Sequence, residues 1–587
     1  MQKIMCIGVF LIYLHYENMM HEKEKIMKKR RMRLVAGALS ALMVAAALSG
    51  CGGSSSSGTT TAGASGETST TAAESTTAGT AQTTSTNPDT LTWILTSDIN
   101  SMDPTQAYDD VTNMVVNQVT EGILNFDADN KLVTNIAKSW ECVDSTTYVY
   151  EIRDDITFSD GNPMTMEDVL FSIERNRDPQ VASLVGWMYD SVDTIEQTGD
   201  WELTVKLSEP DATWQYAFAT TAGHIIEKAA FEKDGTIVGT GAYKLDTWNS
   251  GSQIILTRNE HFTTSTDPIY YNKIIYNVIS EDTTRVEALT SGQADFSLNP
   301  PLDMIPQLEE SPNVNVNMFD TFGIDFLAFN TAKAPFDDAN VRKAIACAID
   351  TDSIYDSLLS TTCSKSTQLP FSPVLYSSVG DTADWESYAS TYRTYTYDIE
   401  KAKEYLAQSA YPDGFTCRLA VNSSSLKNSE ALYVQAALAE LGITVEIEKM
   451  TDVDDYNIQF GSTWDSANNC RDFDMGFFTW YADYPDISGN LVPLFLSDNA
   501  AVGGANTSAY SNAQVDSLLK EQLTKTDGAE RAELMKQALD IIGEDVPMVV
   551  MDYPKQGALE NKTLDNFKVN ASYVWNIYVR EMTRTEG

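Results

Sequence analysis

The stretch RDFDMGFFTWYADYPD, residues 471–486, joins a buried-strand pattern directly to a cluster of aromatic and acidic side chains. Its apolar and aromatic run, Met475 to Trp480, is typical of a strand buried on both faces. Asp483 and Asp486 follow this run. Ligands of open α/β sheets bind outside the carboxyl ends of strands, and rings beside a carboxylate suit a cation or ammonium group. The same residues also suit a core strand, a proline turn and an aspartate near the start of the next helix.

The sequence on either side of this stretch shows strand and helix patterns from Thr90 onward. The alternating run YVYEIR (148–153) predicts a strand, and the T-x-x-D spacing of Thr165 and Asp168 predicts a capped helix start. Patterns in the order β/α/β predict a parallel or mixed α/β sheet. Further predicted strands are LTWIL (91–95), WELTVKL (201–207), QIILTRN (253–259), YNKIIYNVI (271–279) and MVVMDY (548–553).

The 587-residue chain is strongly acidic, with a formal net charge of −43 and 43% hydrophobic residues. That hydrophobic content suffices for a large core and for more than one domain. The charge argues against nucleic acid or an anionic membrane surface as a partner, and it weakly favours cationic ligands.

The N-terminal sequence is typical of a bacterial lipoprotein signal. A basic segment, MKKRRMR (27–33), precedes a small apolar run (34–48), and the sequence Leu-Ser-Gly-Cys ends at Cys51. We expect residues 1–50 to form a signal region and Cys51 to be lipidated. The apolar run is too short for a comfortable transmembrane helix. Because the signal is complete from Met27, we expect Met27 to be the true translation start.

A Ser-, Thr-, Gly- and Ala-rich segment continues from Gly52 to about Pro88. Such a segment cannot bury a core, so we expect residues 51–88 to form a lipidated, flexible tether. Together these features predict a domain that a lipid anchor holds on the extracytoplasmic face of the bacterial cell membrane.

Few residues offer catalytic or metal-binding chemistry. Beyond the signal region the histidines are His224 and His261, and neither lies in an HExxH or triad-like motif. The widely spaced cysteines indicate neither a disulfide framework nor a zinc site. We therefore predict no enzyme activity, no cofactor and no metal. A secreted hydrolase with a carboxylate pair stays an alternative, because aspartate and glutamate are abundant.

A set of motifs in a fixed order resembles the family-5 solute-binding proteins of ABC transporters, the oligopeptide-, dipeptide- and nickel-binding group. The resemblance covers essentially all of residues 90–580, and its most distinctive piece is DGNPMTMEDVLFSIER. The motifs are INSMDP (99–104), TEGILNFDADNKLV (120–133), IAKSWE (136–141), YVYEIRDDITFSDGNPMTMEDVLFSIER (148–175), GTGAYKL (239–245), TRNEHF (257–262), ALTSGQAD (288–295), LAFNTAKAPFDDANVRKAIACAID (327–350), DIEKAKEYLA (398–407), TWYADYPD (479–486) and EDVP (544–547).

The resemblance implies an α/β, bilobed, periplasmic-binding-protein-like fold of the class II type, with an extra domain inserted in the first lobe. Lobe I would comprise residues 89–124, 239–323 and 553–587, and the inserted domain II residues 125–238. Lobe III would comprise residues 324–552. The hinge strands would lie near 326–330 and 549–553, so that a ligand is enclosed when the lobes close.

The resemblance also implies a ligand site. In peptide-binding members, an aspartate in the segment matching TWYADYPD receives the peptide's α-ammonium group, and by motif position this is Asp483, not Asp486. Thr479, Trp480 and Tyr481 would line the same end of the cleft. Tyr108, in the loop 107–109, and Tyr553, in a hinge strand, are further candidate ligand contacts. Ordinary loop packing is the alternative for Tyr108.

One departure from the family pattern bears on specificity. Members tuned to dipeptides place an arginine after the strand matching residues 419–421, where it meets the peptide carboxylate. This chain has Ser423, Ser424 and Ser425 there, and Lys427 is the nearest cation. A ligand longer than a dipeptide, or a different ligand, is therefore expected.

We accordingly predict a monomeric substrate-binding component of an ABC importer. It would capture peptides, with oligopeptides favoured, and deliver them to permease subunits that work with an ATPase. A nickel-chelate or other small-solute binder of the same family is the alternative within the binding class.

Overall fold

The computed structural model describes residues 89–585, apart from 393–394, 462–463 and 466–469. The predicted signal region, the lipidation site Cys51 and the tether lie outside the described residues. Within the described part of the chain, no helix is long and apolar enough to cross a membrane.

The β-strands run from residue 90 to residue 584. In chain order they are β1 (Thr90–Leu95), β2 (Leu124–Phe126), β3 (Leu132–Thr134), β4 (Ala137–Asp144), β5 (Thr147–Ile152), β6 (Val192–Gly199), β7 (Glu202–Leu207), β8 (Tyr243–Asn249), β9 (Gln253–Arg258), β10 (Lys273–Val278), β11 (Phe296–Leu298), β12 (Val314–Asp320), β13 (Gly323–Phe329), β14 (Cys363–Lys365), β15 (Thr416–Val421), β16 (Thr444–Lys449), β17 (Trp464–Asp465), β18 (Cys470–Arg471), β19 (Met475–Tyr481), β20 (Met548–Asn561), β21 (Leu564–Asp565) and β22 (Thr583–Arg584).

The α-helices alternate with these strands. In chain order they are α1 (Asp110–Val119), α2 (Met166–Glu174), α3 (Lys228–Asp234), α4 (Asp282–Thr290), α5 (Ile305–Glu309), α6 (Ala339–Ala348), α7 (Thr351–Ile354), α8 (Thr382–Tyr392), α9 (Ile399–Ala407), α10 (Ser425–Ala439), α11 (Asp452–Gln459), α12 (Ser488–Phe495), α13 (Ala513–Gln522), α14 (Gly528–Asp545) and α15 (Tyr573–Asn576).

A twelve-stranded mixed sheet has the strand order β16-β15-β19-β13-β20-β11-β1-β10-β9-β8, with β12 and β14 also paired to β20. β1 pairs in parallel with β10 and β11, whereas β13 pairs antiparallel with β19 and β20. The prediction of a mixed α/β sheet is therefore confirmed.

The long strand β20 joins the two halves of this sheet. Its first part pairs with β13 and β14, and its second part pairs with β11 and β12. The predicted strand, 548–553, stops before Pro554 because proline cannot donate to a ladder. The observed strand runs through Pro554 to Asn561, with the hydroxyl of Thr321 donating to the Pro554 carbonyl at 2.6 Å. The crossing between the halves thus lies beside the predicted hinge ranges, at 320–323 and 554–555.

The segment between β2 and β8 forms a separate four-stranded antiparallel sheet, in the order β4-β5-β7-β6. It has its own apolar core, in which Tyr150 and Trp214 are among the fully buried side chains. Helix α2 starts with the predicted capping box, because Thr165 and Asp168 each accept a hydrogen bond from the other's backbone N–H.

Within the stretch 471–486, Met475–Tyr481 form β19, which is buried on both faces as predicted. Met475 and Phe477 pack into the core on one face of the sheet, whereas Phe478 packs into the core on the other. This alternation follows from the two-residue period of a strand, and each buried phenylalanine contributes about 1.5–3 kcal/mol. Toward its carboxyl end the strand becomes progressively exposed, and Tyr481 is 49% exposed.

Candidate functional site

A cavity of about 540 Å³ lies at the carboxyl end of β19. This volume is within the range of small-ligand sites, and most of the wall is aromatic or apolar. The lining residues come from distant parts of the chain. They are Ala107, Tyr108, Asp109, Asp110, Asn113, Val185, Trp187, Met188, Thr220, Thr221, Thr321, Phe322, Phe460, Trp480, Tyr481, Ala482, Asp483, Gln556, Ala571, Tyr573, Val574 and Trp575.

Asp483 presents an unpaired carboxylate to this cavity. Within the described residues it accepts no hydrogen bond and forms no ion pair. Burial among apolar and aromatic groups raises the pKa of its carboxyl to about 6, because a desolvated charge is costly. An unpaired carboxylate of this kind is a strong acceptor for a cationic ligand.

Asp486, three residues later, has a different role. It is fully buried and forms a two-pronged ion pair with Arg531, at 2.8 and 2.9 Å. It also accepts the backbone N–H of Ser488 at 2.8 Å and lies 3.5 Å from the hydroxyl of Tyr216. Asp486 therefore holds the chain after β19 in place and is not available to a ligand.

Trp480 and Tyr481, at the end of β19, form the wall next to Asp483. The indole N–H of Trp480 donates to the Gly489 carbonyl at 2.9 Å, which fixes the ring. Tyr481 pairs in register with Gly323 at the start of β13. A Cβ atom at Gly323 would lie 2.6 Å from the Tyr481 ring and 2.8 Å from Pro554, so this close approach requires glycine.

The segment leading into α1 forms another part of the wall. Tyr108 is 58% exposed, yet the pKa of its hydroxyl is raised to about 12, first by desolvation and then by the charge of Asp483. Asp109 caps α1 and accepts hydrogen bonds from the Thr112 N–H at 2.9 Å, the Thr112 hydroxyl at 2.7 Å and the Asn100 amide at 2.7 Å. Asp110 lies in the first turn of α1 and accepts a hydrogen bond from the Tyr573 hydroxyl at 2.7 Å.

Four of the predicted ligand contacts, namely Tyr108, Trp480, Tyr481 and Asp483, thus line the same cavity. The other two lie outside its lining. Thr479 donates to Asp325 at 2.5 Å. Tyr553 is 1% exposed, and its hydroxyl donates to the Leu369 carbonyl at 2.9 Å.

Lys427 is the cation nearest to the position where dipeptide-binding members have an arginine. It pairs with buried carboxylates outside the cavity lining. Its ammonium group is buried against Asp325 at 2.6 Å, Glu430 at 3.0 Å and Asp552 at 3.7 Å. Burial, followed by the charge of Asp325, raises the pKa of the Asp552 carboxyl to about 8. Lys427 therefore serves this buried cluster, and the described lining of the cavity contains no lysine, arginine or histidine.

Several lining residues were not predicted from the sequence. Asp110 directly follows the predicted loop 107–109, and the pair of aspartates in that sequence was its only signal. Trp187 comes from the four-stranded-sheet region and Tyr573 from α15, near the C-terminus. No local pattern links such distant segments, because their proximity arises only from packing.

A mixed sheet whose halves share β20 has an aromatic cavity and the carboxylate of Asp483 at a strand end, an arrangement typical of proteins that bind small solutes. The described residues hold no group of three or more potential metal ligands. The family model "Bacterial extracellular solute-binding proteins, family 5 Middle" matches residues 131–501, more than half of the chain. The chain therefore belongs to the family-5 bacterial extracellular solute-binding proteins, which are substrate-binding components of ABC importers.

Individual relatives agree with this assignment. The glutathione-binding protein GsiB of Escherichia coli K12 is 26% identical over 478 residues, which cover 80% of this chain and 90% of the relative. DppA from Helicobacter pylori, solved in complex with the peptide STSA, aligns with a TM-score of 0.67 and 24% identity over 85% of this chain and 98% of its own. HbpA2 from Haemophilus parasuis aligns with a TM-score of 0.73 and 21% identity over 85% of this chain and all of its own. These similarities confirm the predicted bilobed α/β binding-protein fold.

Proposed function

We propose that this protein captures peptides by binding their α-ammonium group at Asp483, and that it delivers them to the permease of an ABC importer. The observation that supports this proposal is the unpaired carboxylate of Asp483 inside a cavity with aromatic walls. Oligopeptides are favoured over dipeptides, because the described residues of the cavity lining include no cation for a nearby peptide carboxylate.

The chemistry of the walls suits an ammonium group. A charge-assisted hydrogen bond to a carboxylate contributes about 1.5–3 kcal/mol, and it is strongest where water is excluded. Trp480 and Tyr481 add ring faces that attract a cation. The peptide backbone beyond its first residue can pair with strand edges, and this gives affinity with modest selectivity.

We further propose that the ligand is enclosed by closure of two lobes about the crossing of β12–β13 and β20. The lobes would have the predicted boundaries, with residues 125–238 as an inserted domain. In this structure Tyr216, from that domain, stacks on Tyr484 with ring centroids 5.3 Å apart. This contact lies directly beside the cavity loop that carries Asp483, so closure and ligand enclosure are coupled in the proposal.

The remaining parts of the proposal concern location. Lipidation of Cys51 and the tether to residue 88 would hold a monomeric protein on the extracytoplasmic face of the membrane, within reach of its permease. We propose no enzymatic activity for the protein.

The proposal is tested by thermal unfolding of the purified protein with a library of tri- to pentapeptides. Binding ligands should raise Tm, since they bind the folded state alone. Asp483→Ala should abolish the shift, and acetylation of the peptide α-amine should do the same. Asp193→Ala, which removes an exposed carboxylate outside the cavity lining, is the matched control and should leave the shift intact.

The peptide assignment fails if no peptide raises Tm while another class of solute does. A shift produced by Ni²⁺ with free histidine would indicate the chelate-binding alternative. Turnover of glycan substrates would indicate a hydrolase.

A further inference from the structure

The ionisable groups on the cavity wall are strongly biased toward negative charge. Asp109, Asp110 and Asp483 contribute carboxylates, and no basic side chain belongs to the described lining. A single ammonium group bound at Asp483 would leave Asp109 and Asp110 without a cation among the described lining residues. The structure therefore shows more negative charge at this site than the proposed peptide α-amine needs.

Asp109 does not account for this excess, because its carboxylate serves the protein itself. Both of its oxygens accept hydrogen bonds, from Thr112 and from Asn100, and these contacts cap α1. Such a cap stabilises the helix start and needs no ligand.

Asp110 is different. One oxygen, Oδ2, accepts the hydrogen bond from Tyr573, and no further hydrogen bond to Asp110 is present within the described part of the chain. Tyr573 is itself 6% exposed, and its oxygen accepts a long bond of 3.5 Å from Gln556. The Asp110 carboxylate is therefore held in position by a buried tyrosine while it stays open to the cavity.

An acid in the first turn of a helix is also favoured by the helix dipole. Asp110 keeps part of its surface exposed, and the groups around its carboxyl move the pKa in opposite directions. Burial raises the pKa of its carboxyl, the hydrogen bond from Tyr573 lowers it, and the charge of Asp109 raises it again. A ligand cation would offset this cost of desolvation.

The two carboxylates lie on different elements, Asp110 in α1 and Asp483 after β19, and both line the same cavity as Tyr108. The charges of both raise the pKa of the Tyr108 hydroxyl. Two carboxylates that line one cavity suit two separate positive charges on one ligand. A lysine side chain, with its flexible four-carbon stem, can carry the second charge away from the α-amine.

Building on the proposed function, we infer that Asp110 is a second cation anchor and a specificity-determining residue. The cavity then selects ligands that carry two positive charges, such as peptides whose first residue is lysine. Peptides that begin with an acidic residue are rejected by like-charge repulsion.

The inference is tested by calorimetric titration of the purified protein at pH 8 with three peptides. Lys-Ala-Ala carries both charges, norleucine-Ala-Ala keeps the stem but loses the second charge, and Glu-Ala-Ala reverses it. We expect Lys-Ala-Ala to bind about 10- to 100-fold more tightly than the norleucine peptide, the effect of one charge-assisted hydrogen bond. Glu-Ala-Ala should bind most weakly.

Asp110→Asn should remove the preference for lysine over norleucine while the norleucine peptide keeps its affinity within about threefold. Asp110→Glu should restore part of the preference. The ratio of the two affinities is the readout, because a structural defect would weaken both peptides together. Asp193→Asn is the matched control and should leave the ratio unchanged.

An affinity ratio near one in the wild-type protein, or a ratio that survives Asp110→Asn, would overturn the inference. In either case the norleucine peptide would still bind through Asp483, so the proposed function would stand. If none of the three peptides binds, the proposed function and this inference both fail.

Discussion

Replacing Asp483 by asparagine should stabilise the ligand-free protein. Burial raises the pKa of this carboxyl from its ordinary value to about 6, a difference of about two units. Each unit corresponds to about 1.4 kcal/mol, so the ionised carboxylate lowers the free energy of unfolding by up to about 3 kcal/mol. Asparagine keeps the shape without the charge, and no hydrogen bond is lost because Asp483 has no partner among the described residues.

The effect should depend on pH in a defined direction. The folded carboxyl holds its proton more tightly than the unfolded one, so between about pH 4 and pH 6 the folded state binds more protons. Ionisation of Asp483 therefore lowers the stability of the wild-type protein as pH rises through this window, and Asp483→Asn lacks this contribution. The difference in Tm between the variant and the wild-type protein should be near zero at pH 4 and positive at pH 7–8.

Peptide affinity, unlike the stability of the ligand-free protein, should increase as pH rises through this window. An ammonium group binds the ionised carboxylate, and at pH 5 only about one-tenth of the groups with a pKa of about 6 are ionised. Peptide affinity should thus fall about tenfold between pH 7, where most of the peptide α-amine is still protonated, and pH 5.

Thermal unfolding of both proteins from pH 4 to pH 8, without and with peptide, measures all of these effects. A variant that is less stable than the wild-type protein at pH 8 would refute the reasoning. So would a difference in Tm that does not change with pH, because the buried charge is its stated cause.

Three further substitutions test the scaffold of the site. Asp486→Asn should lower the free energy of unfolding by about 3–5 kcal/mol, because it leaves Arg531 buried without its carboxylate. In the same unfolding experiment, an Asp486→Asn/Arg531→Met double variant should recover part of that loss. Lys427→Met should cost a similar amount at pH 8 and less at lower pH, because burial raises the pKa of the Asp552 and Glu430 carboxyls beside it and they become protonated there. A loss independent of pH would argue against the buried cluster. Gly323→Ala should weaken peptide binding at least about tenfold by displacing Tyr481, with a smaller effect on Tm, and unchanged calorimetric affinity would contradict the close approach.

Much of the fold was predictable because its signals are local. The run Met475 to Trp480 showed a strand buried on both faces, since period-two alternation of large apolar residues directs side chains into cores on either side of a sheet. The capping box at Thr165 and Asp168 likewise depends on residues three apart. The end of β20 was not predictable, because pairing with four other strands carries the chain past Pro554 against its local preference.

The sequence by itself thus determined the strand that ends at the site and, through collinear family motifs, the choice of Asp483. It did not distinguish the two aspartates by chemistry, since both follow the same strand. Only the tertiary structure decided that Arg531, 45 residues beyond Asp486, neutralises that carboxylate, while Asp483 faces the cavity without a partner among the described residues. The tertiary structure also places Lys427 in a buried cluster of carboxylates. It brings Tyr573 into hydrogen-bond contact with Asp110, 463 residues earlier in the chain. The physical reason is that the charge available to a ligand depends on which neighbours have already compensated it, and these neighbours come from distant segments.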